Sequence, residues 1–169
     1  MEAPLILTLQ LDEHSFRYFD QLRKDFFPPE RNFLSAHLTL FHHLPPSEPA
    51  VLENIISQTE KQEVLPLAVA SVVSIGKGVA FKIESPLLIE LHKSLQKNWE
   101  KWLTPQDKQK LWPHITVQNK VHPTVAKETL LQLKESFQPF QAFGLGFQLW
   151  SYEGGPWTLI KEFPFRQSF

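Results

Sequence analysis

The sequence predicts an α+β fold built from two related lobes, each of the form β-α-β-α-β. Three observations lead there. The spacing of apolar residues switches repeatedly between a period of two and one near 3.6. The order of elements recurs, with a helix starting near 14 and again near 86, and a His-aliphatic-Thr-aliphatic run at 37 and again at 114. No low-complexity stretch or long linker divides the 169 residues. That length suits a single domain with its own core, with pseudo-repeat lobes at approximately 4–75 and 78–165.

The elements follow in order. "LILTLQL" (5–11) places Leu5, Leu7, Leu9 and Leu11 on one face of a strand. Residues 14–26 put Phe16, Phe19, Leu22 and Phe26 at helical steps, and Pro28-Pro29 stops them. "SAHLTLFHHL" (35–44) reads as a strand ending at Pro45-Pro46. A helix over 48–62 shows Leu52, Ile55, Ile56 and Thr59 on one side. "LPLAVASVVSI" is β-rich and turns at Gly76-Lys77-Gly78 into "VAFKIES", a hairpin. Residues 86–103 then carry the stripe Leu88, Leu91, Leu95, Trp99 and Trp102. "LWPHITVQ" (111–118) is the next strand, and 124–137 a helix with Ala126, Leu130, Leu133 and Phe137 inward. Two last strands, "FGLGFQLWS" and "WTLIKEF", flank a turn at Glu153-Gly154-Gly155-Pro156.

Composition narrows the function. A net charge of −1 provides no global field for nucleic acid or anionic membrane, so any phosphate recognition is local. The absence of cysteine excludes disulfides, thiolate metal sites and cysteine nucleophiles, and suits a reducing compartment. The N-terminal apolar run is short and alternating, unlike a signal peptide or membrane span. A cytoplasmic protein is expected.

Four of the seven histidines precede a serine or threonine by two positions: His37, His92, His114 and His122. The bare pattern is weak. Context separates the four. In a strand, residues two apart share a face, with α-carbons about 6.5 Å apart. His37 and Thr39 can therefore face one cleft while Leu38 and Leu40 face the other side. His114 and Thr116 do the same against Ile115 and Val117. His92 and Ser94 lie in a helix, where two steps mean about 200° of rotation, and His122-Pro123-Thr124 reads as a helix start.

Two imidazoles across a cleft can serve as acid and base near neutral pH. A threonine hydroxyl on each one's face can donate to a phosphate oxygen. The arrangement suits a phosphodiester gripped on both sides, deprotonating the attacking oxygen and protonating the leaving one. It calls for no metal and no cofactor.

In "AHLTLF" and "PHITV", in their spacing and in the duplicated layout, the chain resembles the 2H phosphoesterase superfamily, in particular its 2′-5′ RNA ligase-like and RNA 2′,3′-cyclic phosphodiesterase members. The resemblance implies a bilobal α+β fold with antiparallel sheets lining a central cleft. It implies opening or transfer of 2′,3′-cyclic phosphates or 2′–5′ linkages on a nucleotide or RNA end, without metal. His37, Thr39, His114 and Thr116 take the four motif positions; in the family the first histidine usually acts as acid and the second as base, roles that exchange in ligation. Many bacterial relatives carry an arginine five positions after the second motif histidine, where this chain has Asn119. The matching place after the first, usually apolar, is His42. Losing the arginine removes a bidentate phosphate contact.

Other candidates are less specific. Strict alternation puts Phe41 and His43 on the face of Thr39, Gln118 on that of Thr116, and His42 on the opposite side. Lys77 in the hairpin turn and Lys120 past the second motif strand can reach a phosphate or sugar. Phe41, Tyr152 and Trp157 can stack on a base. Binding to a membrane is not expected, and the chain is expected to be a monomer.

Overall fold

A computed structural model describes residues 2–167. Its elements run β1 (Leu5–Leu11), α1 (Glu13–Phe26), a 3-10 turn at Pro29–Arg31, β2 (Leu38–Leu44), α2 (Pro49–Lys61), β3 (Leu65–Ser74), β4 (Val79–Glu84), α3 (Pro86–Trp99), β5 (His114–Gln118), α4 (Pro123–Ser136), β6 (Phe140–Tyr152) and β7 (Trp157–Pro164). This is the order read from the sequence. Boundaries moved where proline sets them: β5 begins after Pro113, which has no N–H for the ladder. Helix α3 stops at Trp99 rather than 103.

The strands form one antiparallel sheet in the order β2-β1-β6-β3-β4-β5, with β7 also on β6. The long β6 joins the two parts. Its first residues pair with β3 (Val69↔Phe140 to Leu65↔Gly144), and its later residues with β1 and β7. The helices cross over. α1 leaves β1 and packs on β5, whereas α3 leaves β4 and packs on β2. The halves of the chain are thus interleaved in space.

The many phenylalanines explain the packing. Tyr18, Phe19, Phe81, Phe137 and Phe140 meet mostly edge to face under α1 and α4, with centroids 5.2–6.4 Å apart. Phe41 stacks on His92 at 4.5 Å and meets Trp99 at 4.9 Å under α3. The hairpin turn requires its glycines. Gly76 has φ +88°, and a Cβ on Gly78 would lie 1.8 Å from the Gln118 carbonyl oxygen.

The two motif strands share an irregularity of register. Thr8 faces Thr39 and Leu7 faces Phe41, so Leu40 is an extra residue in β2. Ala80 faces Thr116 and Val79 faces Gln118, so Val117 is an extra residue in β5. Each motif strand carries a bulge directly after its threonine. A bulge takes a backbone group out of the ladder, and each crossing helix sends a side chain to a carbonyl there. Arg23 Nη1 donates to Thr116 O (2.9 Å), and His92 Nε2 donates to Leu40 O (2.9 Å).

Candidate active site

The two motif histidines are held alike. His37 Nδ1 lies 2.7 Å from Ser35 O, and His114 Nδ1 lies 2.7 Å from Trp112 O. A carbonyl only accepts, so Nδ1 carries the proton in each ring. Each Nε2 is left to present a lone pair, or a proton once the ring is charged. His37, Thr39, His114 and Thr116 are half-buried, whereas Leu38, Leu40, Ile115 and Val117 are buried on the far side. Among the described residues neither threonine hydroxyl is left as a buried, unpartnered atom. Thr39 and His114, from strands at opposite ends of the sheet order, line one cavity with His42 and Trp112.

Burial holds the His37 pKa down to about 4, with the charges of Arg23, His114 and His42 adding to it and the bond to Ser35 O opposing. His114 is also lowered, by burial first and by His42, against the bond to Trp112 O. In the free protein both rings are therefore harder to protonate than an exposed imidazole.

Each histidine has an aromatic neighbour. Trp157 lies 4.8 Å from His37, and Trp112 stacks on His114 at 4.3 Å and 22°. Beside His37 is a cavity of about 430 Å³ whose walls include Phe16, Phe33, Trp150 and Trp157. Its floor is tied by Trp150 Nε1 donating to Thr8 Oγ1 (2.8 Å).

Several expected contacts are corrected by the bulges. Phe41 is fully buried in the core under α3, out of a substrate's reach, because the extra residue at Leu40 reverses the alternation. Gln118 is also buried; the bulge at Val117 turns it to α4, where Nε2 donates to Thr129 Oγ1 (2.8 Å). A second irregularity between Leu5 and Leu7 places both His42 and His43 at the surface. His42, expected on the opposite side, is the one that lines the cavity with Thr39, and His43 does not. Tyr152 is exposed at the end of β6, opposite Trp157, and lines neither cavity. Lys77 and Lys120 line a separate pocket with Arg31 and His122, which neither motif histidine lines. No group of three His, Asp or Glu among the described residues is placed to hold a metal ion.

Residues the sequence left unassigned complete the site. Arg23, 3% exposed, donates from Nε to Asn32 Oδ1 (3.1 Å) and Leu34 O (3.2 Å), as well as to Thr116 O. It therefore links the approach to the first motif with the backbone of the second. Lys82, opposite His114 in the register, is paired with Glu84 at 3.6 Å.

A model of the 2′-5′ RNA ligase superfamily matches residues 11–156. The chain belongs to the 2′-5′ RNA ligase superfamily. The resemblance to 2H phosphoesterases carried by its two motifs is thereby borne out. No curated protein matches the chain. Among solved structures it is similar to TT0787 of Thermus thermophilus, with a TM-score of 0.70 at 16% identity, covering 98% of this chain and 100% of that one. It is similar to E. coli LigT in apo form, with a TM-score of 0.65 at 17% identity over 98% and 99% of the two chains. A structure of LigT complexed with 3′-AMP gives 0.62 at 17% identity over 99% and 100%. At these identities the likeness establishes the fold: α+β, with antiparallel strands and four helices. No helix of the described residues is long and apolar enough to cross a membrane.

Proposed function

We propose that this superfamily member is a metal-independent phosphodiesterase that opens 2′,3′-cyclic phosphates or 2′–5′ linkages on nucleotides or RNA ends, with His37 and His114 as the acid–base pair. The observation that carries this reading is the matched restraint of the two rings. Each Nδ1–H is fixed on the carbonyl two residues upstream, and each ring, at the start of β5 or just ahead of β2, stands two residues before a half-buried threonine. One neutral imidazole takes a proton from water as the water oxygen bonds to phosphorus. The other, protonated, gives its proton to the ribose oxygen as the P–O bond breaks. Thr39 and Thr116 donate to the non-bridging oxygens. With a ribose 5′-hydroxyl attacking in place of water, a 2′–5′ bond forms as the P–O bond to the 3′ oxygen breaks and that oxygen takes the proton.

In the free protein burial opposes charge on both rings, most strongly on His37. An approaching phosphate anion favours charge on both rings. The protein is proposed to act in the cytoplasm as a monomer, with no cofactor.

A nucleic-acid end is favoured over a small cyclic phosphate by two features. Phe16, Phe33, Trp150 and Trp157 beside His37 suit a stacked base. Arg31, Lys77 and Lys120, none of them in a salt bridge among the described residues, gather where Lys120 takes φ 63° and the Val121 N–H binds Lys77 O. That cluster suits a backbone phosphate upstream of the reacting end. Turnover of a 2′,3′-cyclic mononucleotide and of a short RNA with the same end, in EDTA, tests the reading. Loss of both activities in His37→Ala and in His114→Ala is expected. The double variant Lys77→Glu/Lys120→Glu should reduce the salt dependence of RNA binding by about two phosphate contacts, leaving the mononucleotide unaffected. A folded wild type inert on both substrates leaves a binding-only cleft.

A further inference from the structure

His42 is turned into the cleft by a carboxylate the phosphodiesterase reading does not use. Asp107 lies in the loop between α3 and β5, and its side chain is wholly buried. The backbone N–H of His42 donates to Oδ1 (2.9 Å) and Oδ2 (3.0 Å), and that of His43 to Oδ2 (2.9 Å). Those bonds already anchor the loop to β2. The His42 ring adds a further one, Nδ1–H to Oδ1 at 3.1 Å. That bond sets the ring's direction.

With Nδ1 committed, Nε2 is the free end of a ring that is 45% exposed. It opens on the cavity lined by Thr39, Trp112 and His114. The ring's charge is felt by both motif histidines, each of which it makes harder to protonate. Lys110 lines the same cavity. The carboxylate, although buried, is held below its ordinary pKa by the bonds from His42 and His43. With Nδ1–H held by the carboxylate, Nε2 is the ring atom left to meet an entering phosphate oxygen.

We propose that His42, oriented by Asp107, is a third imidazole of the cleft whose Nε2–H binds a non-bridging oxygen of the substrate's phosphate. The ligand class is a phosphate mono- or diester. This rests on the phosphodiesterase reading for its substrate, but phosphate binding can be measured without turnover.

The discriminating variant is His42→Asn, whose amide nitrogen can keep the Nδ1 bond to Asp107 while Nε2 is lost. His43→Asn is the control: it lies next to His42, with its backbone on the same carboxylate and its ring outside the cavity. Inorganic phosphate is titrated into wild type and both variants, followed by calorimetry, with circular dichroism to confirm folding. Loss of one hydrogen bond to a charged group predicts affinity about 10- to 100-fold weaker for His42→Asn. His43→Asn should bind as wild type does. On a cyclic nucleotide, His42→Asn should raise KM more than it lowers kcat. Unchanged phosphate affinity in His42→Asn, equal losses in both variants, or no phosphate binding by the wild type each overturns the proposal. Phosphate binding that depends on His42 without any turnover keeps this inference and sinks the catalytic reading alone.

Discussion

Replacing Arg23 with methionine tests how the two motif strands are held in place. The substitution keeps much of the apolar stem over Phe27, on which the guanidinium sits at 4.2 Å. It removes the bonds to Asn32 Oδ1, Leu34 O and Thr116 O. Two carbonyls then lose a donor, at about 1–3 kcal/mol each. Part of this is offset, because the buried charge no longer has to be desolvated; burial already draws the guanidinium pKa down to about 10. A net destabilisation of about 2–4 kcal/mol follows. At about 2–4 °C per kcal/mol for a domain of this size, the melting temperature should fall by about 4–16 °C. Arg23→Lys should recover only part, since one ammonium cannot reproduce the fork. The assay is thermal unfolding by circular dichroism together with kcat/KM on a cyclic nucleotide measured well below the melt. Because Arg23 joins the segment before His37 to the backbone of Thr116, kcat/KM should fall even where the protein is fully folded. An unchanged melt, or a lowered melt with full activity in the folded protein, would refute the bracing role.

Other consequences are equally concrete. Thr39→Val and Thr116→Val should each lower kcat/KM about 10- to 100-fold, the range for a hydrogen bond to a charged group, with little change in melting temperature. The folded-state pKa values of His37 and His114 lie below the ordinary 6.5 of the unfolded chain, so the unfolded state binds more protons between about pH 6.5 and 4. Stability should therefore fall as pH drops through that window, and His37→Phe should flatten the fall in urea titrations at pH 7 and pH 5. Trp157→Ala should raise KM for base-bearing substrates about fivefold or more, from lost stacking, while leaving the affinity for inorganic phosphate unchanged.

Much of the fold and the centre of the site were legible because strand alternation is a strong signal. Four His-x-Ser/Thr matches reduce to two once helix and strand periods are applied, and the structure has His114 as the first residue of β5 and His37 just ahead of β2, each two residues before a threonine that precedes a bulge. What alternation does not encode is a one-residue bulge. Leu40 and Val117 each add a residue, so Phe41 and Gln118 turn inward and His42 comes to the cavity. The adjacent apolar pair Leu40-Phe41 was the available hint, since a half-buried strand rarely carries two in a row. Asp107 was illegible for another reason: it sits in a loop 65 positions from the histidine it holds. Arg23 was illegible for a like reason: it is the crossover of α1 onto β5 that buries it. Trp112 was passed over as part of the strand, although its place two residues before His114 makes its carbonyl the ring's anchor.

The central claim is that His37 and His114 act as complementary acid and base on one phosphate. The most direct measurement is ³¹P NMR of a 2′,3′-cyclic nucleotide incubated with the protein in EDTA, beside His37→Ala and His114→Ala. Conversion to one monoester isomer by the wild type, abolished in either variant, is the predicted result and also identifies the leaving oxygen. Turnover that survives the loss of either histidine would contradict the account.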